Sequence, residues 1–315
     1  MKKRLNRKFL IIVLSCIALI VLFFGIIYLR KTIEYHKSYE YKFLKLGYSI
    51  NDVKILNKLN NKNKDYILNL KYDKNIIELI NQKYFIEDNL SNYIKYDNKD
   101  NYPLIDVVAL INTHANNEWY SDTRKADTSK GNLMLTNKFY SLDSTYNSDN
   151  MIKVSNQYSF GDDQLLTKDT LDAFIEMFNE AKKENLTLII NSSFRSFEDQ
   201  EEIYNYYLNI KGEEETNKMA AKPGFSEHQT GLSIDIQTYG SSTKNFEEFD
   251  EFKWLQNNAY KYGFILRYPK GKEYITGYEY ESWHYRYVGI EAATYIYENN
   301  ITFDEYYAYF VERNI

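Results

Sequence analysis

The segment from Phe9 to Leu29 carries no charged side chain and is apolar almost throughout. No other feature restricts folding as strongly, because a helix of this length, rising about 1.5 Å per residue, matches a hydrocarbon core of roughly 30 Å. The segment is therefore expected to be a transmembrane anchor. Lys2, Lys3, Arg4, Arg7 and Lys8 precede it, and such a basic cluster stays on the cytoplasmic side. The expected topology is single-pass, with a cytoplasmic tail over 1–8, the anchor over 9–29 and the rest of the chain extracellular at the cell membrane. A cleaved secretory signal would have an apolar region of only about 7 to 15 residues ending at a small-residue cleavage site, and neither feature is evident. Cys16 follows Val13, Leu14 and Ser15 in loose imitation of a lipoprotein site, yet the apolar run continues to Leu29.

Cys16 is also the sole cysteine. Intramolecular disulfides, cysteine-rich zinc knuckles and a cysteine nucleophile in the soluble part are thereby excluded. The 39 basic and 44 acidic side chains give a net charge of -5, without the basic excess that phosphate-backbone binding requires, so nucleic acid is not an expected partner. Setting the five N-terminal cations aside leaves 34 basic residues against 44 acidic ones. The external part is thus expected to be soluble and not held to anionic lipid by charge.

Residues 30–100 are rich in lysine and asparagine, with apolar residues at helical spacing: Val53, Ile55, Leu56 and Leu59, then Ile67, Leu68 and Leu70, then Ile76, Ile77, Leu79 and Ile80. This predicts short helices, with Ser49 and Asp73 as caps. No chemistry stands out there, and a helical stalk or spacer is expected. From Tyr102 the texture changes, and Leu104 to Ile111 reads as a strand-like run opening a mixed domain. Thr167 opens an amphipathic helix marked by Leu171, Phe174, Ile175 and Phe178, followed by a buried strand over Leu186 to Ile190. Ser196 with Asp199 forms a capping-box pattern that starts another helix, placing Arg195 at a strand-to-helix junction.

The chain has 4 histidines. His36 and His114 have no acidic or histidine neighbour at ligand spacing and read as ordinary surface or loop residues. His228 and His284 differ in their surroundings. The run Pro223 to Ile236 contains Gly224 and Gly231, then alternates so that Leu232, Ile234 and Ile236 share one strand face while Ser233 and Asp235 share the other. Imidazole nitrogen and carboxylate oxygen suit Zn²⁺. Catalytic zinc takes three protein ligands and leaves a fourth position to water, so His228, Asp235 and His284 make a minimal set with Glu281 as a spare carboxylate for proton transfer. Strict alternation would put Glu281 and His284 on opposite faces, so the strand must begin or bend after Glu281. Each residue taken singly also fits a turn, a strand edge, a solvated charge or a hydrogen-bonded core position.

Several separated motifs occur in order: Ser192 to Gln200, Pro223 to Asp235, Trp254-Leu255, Tyr262 to Pro269 and Glu281 to Tyr287. Over roughly residues 130–300 the chain resembles VanY-type D-alanyl-D-alanine carboxypeptidases, of the zinc peptidase family that includes VanX dipeptidases and LD-carboxypeptidases. The resemblance implies an α+β domain over 101–315, with a mainly antiparallel sheet flanked by helices and a zinc cleft. It makes His228, Asp235 and His284 the zinc ligands, Glu281 the general base and Arg195 the oxyanion stabiliser, with Ser226 and Gln200 near the substrate. Phe225 stands where histidine is frequent in the family and Ser233 where alanine is, and neither is a ligand position. The implied reaction removes the terminal D-alanine from peptidoglycan stem peptides by attack of metal-activated water, with D,D and L,D bonds both open. A rival reading is a catalytically silent peptidoglycan-binding module that keeps the zinc cleft for recognition. Glu281 and Arg195 argue against it, because binding alone needs no general base.

Overall fold

The computed structural model describes residues 7–148 and 150–313. Lys2, Lys3 and Arg4 of the expected cytoplasmic cluster lie outside the described residues. The chain divides into two units, Met1–Val108 and Ala109–Ile315.

In the first unit, α1 (Arg7–Lys37) contains the apolar run and is long and apolar enough to cross a membrane. Five short helices follow: α2 (Tyr39–Leu46), α3 (Ile50–Leu56), α4 (Asn61–Leu68), α5 (Lys74–Ile80) and α6 (Leu90–Lys95). Ser49 caps α3 through a capping box with Asp52, and the Asp73 side chain accepts the Asn75 N–H at the start of α5. The predicted apolar positions Val53, Leu56, Ile67, Ile76 and Ile77 bury together with Phe43 and Leu90 in one small core.

The strand expected over Leu104 to Ile111 is instead a helix, α7 (Leu104–Asn112). An apolar run of this length fits a buried helix as well as a strand. Local chemistry favours the helix, because the Pro103 carbonyl accepts the Asp106 and Val107 N–H groups, and proline is well suited to a helix start.

The second unit opens with two small pairs, β1 (Arg124–Lys125) parallel to β2 (Tyr140–Ser141) and β3 (Met151–Lys153) antiparallel to β4 (Leu165–Thr167). Its centre is a four-stranded antiparallel sheet of β5 (Ile189–Ser192), β6 (Ser233–Gln237), β7 (Phe264–Leu266) and β8 (His284–Tyr287), in the order β5-β6-β8-β7. The helices are α8 (Lys168–Lys183), α9 (Phe197–Lys211), α10 (Glu213–Met219), α11 (Asp250–Asn258), α12 (Glu273–Thr276), α13 (Ile290–Asn299) and α14 (Phe303–Tyr306). This is the mixed helix and sheet architecture read from the sequence, and its central sheet is antiparallel, as the family resemblance implies.

The two sheet faces differ in composition, as the alternation predicts. Ile190, Ile234, Ile236, Phe264 and Tyr285 join Leu171, Phe174 and Phe178 of α8 and Trp254 and Leu255 of α11 in the main core. Ser233, Asp235, His284 and Arg286 occupy the other face, and they too are buried. That second face is a covered polar surface on which each charge needs a partner.

Candidate active site

Strand register brings two of the expected ligands together. Asp235 and His284 are direct cross-strand partners in β6 and β8, and such pairs hold Cβ atoms about 4.5–5.5 Å apart on one face. His284 Nδ1 lies 3.0 Å from Asp235 Oδ1. The third arrives from the one-turn helix Glu227–Thr230, which Ser226 caps by accepting the His228 N–H and which ends at Gly231 in the left-handed region. His228 Nε2 lies 3.5 Å from the same Asp235 oxygen. The candidate ligand atoms of His228, Asp235 and His284 all fall within 4.8 Å of one another.

The donor set fits a divalent cation. His228 Nδ1 is 2.6 Å from the Ser193 carbonyl oxygen, which can only accept, so Nδ1 carries the proton and Nε2 presents a lone pair. That lone pair faces an Asp235 oxygen, and two acceptors pointed at each other in a buried pocket repel unless a cation lies between them. Burial alone would raise the Asp235 pKa, but His228 and His284 outweigh it and hold the group well below the usual carboxylate range. Burial lowers His228, with Asp235 opposing. Burial also works to lower His284, yet Asp235 and Glu227 prevail and raise it to about 9. Excess negative charge around these imidazoles is the environment a metal ion neutralises.

Glu281 lies in the turn before β8, which begins at His284, so the break in alternation the site requires is present. Glu281 Oε2 is 3.9 Å from His284 Nδ1. Burial raises its pKa to about 8, with Asp235 adding to the rise and His284 opposing it. Arg195 sits between β5 and α9, and its backbone N–H donates to the His228 carbonyl. Its guanidinium donates to Gln200 Oε1 at 2.8 Å and to Ser192 Oγ at 3.1 Å. A register shift in β5 between Ile190 and Ser192 sets Ser192 opposite Asp235, the kind of bulge that re-aims side chains beside functional sites.

A cavity of about 640 Å³ is lined by Arg195, Gln200, Ser226, His228, Asp235, Glu281 and His284, among other residues. All seven residues singled out in the sequence therefore meet at one place. Gln200 has both amide ends engaged within the protein, its nitrogen donating to the Ala221 carbonyl at 2.7 Å. His36 is exposed near the end of α1 and His114 is half-buried in a turn, and neither joins a metal-type cluster among the described residues.

Sequence reasoning missed a charged layer behind the ligands. Glu227 Oε1 accepts from Arg267 Nε at 2.7 Å and from Arg286 Nη1 at 3.0 Å, while Asp304 takes the other edge of Arg267 at 2.6 and 3.2 Å. All four residues are essentially inaccessible. Burial pushes Glu227 up, but Arg267 and Arg286 hold it far below the usual carboxylate range. Tyr268 stacks on His284 with centroids 5.0 Å apart. Glu227, Arg267 and Arg286 lie in the motif runs Pro223 to Asp235, Tyr262 to Pro269 and Glu281 to Tyr287, but nothing in those runs says that the three side chains meet.

A buried pair of imidazoles and a carboxylate, with an acid and an arginine lining the same cleft, is a donor set that could hold a metal ion. A model of the VanY D-alanyl-D-alanine carboxypeptidase family matches residues 163–290. YodJ of Bacillus subtilis is 40% identical over 202 residues, covering 60% of this chain and 74% of that protein. A D-alanyl-D-alanine carboxypeptidase of Enterococcus faecium is 37% identical over 191 residues, covering 58% of this chain and 59% of that one. Among solved structures, the LD-carboxypeptidase LdcB matches with a TM-score of 0.57 and 39% identity, over 60% of this chain and 91% of that chain. The chain belongs to the VanY D-alanyl-D-alanine carboxypeptidase family and is a carboxypeptidase.

Proposed function

We propose that this chain is a membrane-anchored zinc carboxypeptidase that removes the C-terminal D-alanine from peptidoglycan stem peptides outside the cell. The observation that carries this reading is the convergence of His228, Asp235 and His284 within 4.8 Å, with Glu281 3.9 Å from His284. Substrate class follows from the relatives, one bearing the name D-alanyl-D-alanine carboxypeptidase and one solved with peptidoglycan recognition as its subject. The apolar helix α1 and the basic residues before it support an anchor with an external catalytic unit, where such peptides reside.

Zinc held by His228, Asp235 and His284 would supply Lewis acidity and an activated water. Glu281 is the proton carrier. Half-buried in the cleft 3.9 Å from His284, it is placed to take a proton during attack on the carbonyl and return it to the departing D-alanine amine, the role of a general base that then acts as an acid. Arg195 donates hydrogen bonds to the oxygen that gains charge as the carbonyl becomes tetrahedral, a task suited to a planar, permanently charged group. Gln200 and Ser192 fix the guanidinium plane. Ser226 lines the same cavity beside His228 and is assigned to substrate contact.

The test is incubation of the protein with tripeptide, tetrapeptide and pentapeptide stem peptides, with zinc and with a chelator. Release of D-alanine that the chelator abolishes and zinc restores is the expected outcome, and the preferred peptide distinguishes D,D from L,D cleavage. Zinc binding without release from any peptide would favour the recognition-module reading.

A further inference from the structure

The buried carboxylate Glu227 has two oxygens in different situations. Oε1 is clamped by Arg267 Nε at 2.7 Å and Arg286 Nη1 at 3.0 Å. Oε2 makes no standard hydrogen bond, and neither does His284 Nε2, which faces it at 3.5 Å. Both side chains are buried, Glu227 to 1% and His284 to 3% residual exposure. The opposite ring nitrogen, His284 Nδ1, is the one aimed at Asp235.

We propose that Glu227 is a positioning residue whose Oε2 accepts the Nε2–H of His284, keeps the ring proton on that nitrogen and thereby commits Nδ1 to the metal. The proposal deepens the zinc reading above and rests on it. Metal-bound imidazoles are oriented by a partner on their other nitrogen, and His228 already has such a partner in the Ser193 carbonyl. Glu227 completes the symmetry for His284. Its own direction is fixed from behind by the two guanidinium groups, of which Arg267 is anchored in turn by Asp304. Tyr268, stacked on the His284 ring, holds the ring plane.

The geometry makes Glu227→Gln more than a charge deletion. Two N–H donors occupy the Oε1 position, so the amide oxygen must stay there and the amide NH₂ must face His284 Nε2. A donor now meets Nε2, which favours the proton on Nδ1, where it blocks the ligand lone pair. Asp304→Asn is the control, because it loosens the same charged layer without touching His284.

Zinc affinity of the full chain in detergent, measured by competition with a chelator, separates the outcomes. Glu227→Gln is expected to weaken zinc binding by roughly 10–100-fold, while Asp304→Asn changes it by less than about threefold even though both lower the thermal midpoint. Equal zinc affinity in wild type and Glu227→Gln overturns the assignment and leaves the zinc reading intact. Wild-type protein that binds no zinc overturns both. Should Glu227→Gln fail to fold, ring ¹⁵N shifts of the zinc-loaded wild type decide the point, since only 4 histidines require assignment. A protonated Nε2 and a metal-shifted Nδ1 on His284 are expected, and ligation through Nε2 instead overturns the proposal.

Discussion

Glu281 stands next to the ligand cluster without being part of it, and this difference is testable. Its carboxylate is 3.9 Å from His284, and it is absent from the three residues whose ligand atoms converge. Replacing it with alanine is expected to leave zinc content near one per chain and to lower turnover by about a hundredfold or more, the range of general acid–base contributions. Metal analysis beside steady-state kinetics checks this, and loss of zinc would reassign Glu281 as a ligand. At this scale the sequence was legible where chemistry is written in residue type. A histidine in a glycine-bounded turn, an aspartate on an alternating strand and a Glu-x-x-His spacing marked the candidates, and the resemblance to VanY-type peptidases supplied the roles expected of them. Glu227 was not legible, because a glutamate beside a histidine reads as a solvated charge. Its partners Arg267 and Arg286 are 40 and 59 positions away, and only the fold reveals that they share a face.

Elements set where those residues point. The Asp235–His284 pair depends on the antiparallel register of β6 and β8, and a slip of one residue in either strand would send that strand's ligand to the apolar face, away from its partner. The turn that delivers His228 depends on its glycines. Gly224 has φ +84°, and a Cβ placed there would lie 2.9 Å from the Leu142 carbonyl oxygen, a backbone atom that is not easily displaced because the Leu142 N–H donates to the Gly224 carbonyl. Gly224→Ala is therefore expected to cost about 2 kcal/mol from positive φ and steric strain together. Denaturant midpoints check this, and a change within about 0.5 kcal/mol, the usual range for neutral surface sites, would show that the turn relaxes freely. Legibility at this scale followed local signals. The cap at Ser49, the capping box at Ser196 and the helix after Thr167 were readable. The segment Leu104 to Ile111 was misread because a run that is apolar at every position but Asp106 carries too little periodicity to separate helix from strand.

On the scale of the whole molecule, folding stability should carry a pH signature from a cation that is not one of the candidate site residues. Lys138 is buried to 2% exposure and donates to the carbonyls of Asn217 and Gly277, with the rings of Trp119, Tyr120 and Tyr278 at 5.4, 5.6 and 4.4 Å. It thus ties together four stretches of the second unit that are remote in sequence. Burial lowers its pKa from 10.5 to about 7, with Lys222 adding to the effect. A lysine depressed in the folded state binds fewer protons there than in the unfolded chain, so unfolding takes up a proton between these two values and stability rises with pH across that window. Below pH 7 the buried group carries its charge in the folded protein, and the desolvation cost is present in full. Within the window, stability climbs by up to about 1.4 kcal/mol for each pH unit. The carbonyls and rings favour the cation and hold the expected gain to something on the order of 3 kcal/mol between pH 7 and 10. Other titrating groups cancel when wild type is compared with Lys138→Met, whose penalty for two unpaired carbonyls does not vary with pH. The difference in unfolding free energy between the two proteins should therefore widen in favour of wild type as pH rises from 7 to 10. A difference that stays flat would mean that the aromatic and carbonyl cage keeps Lys138 protonated throughout, and that this buried ammonium is held by its partners more strongly than burial disfavours it.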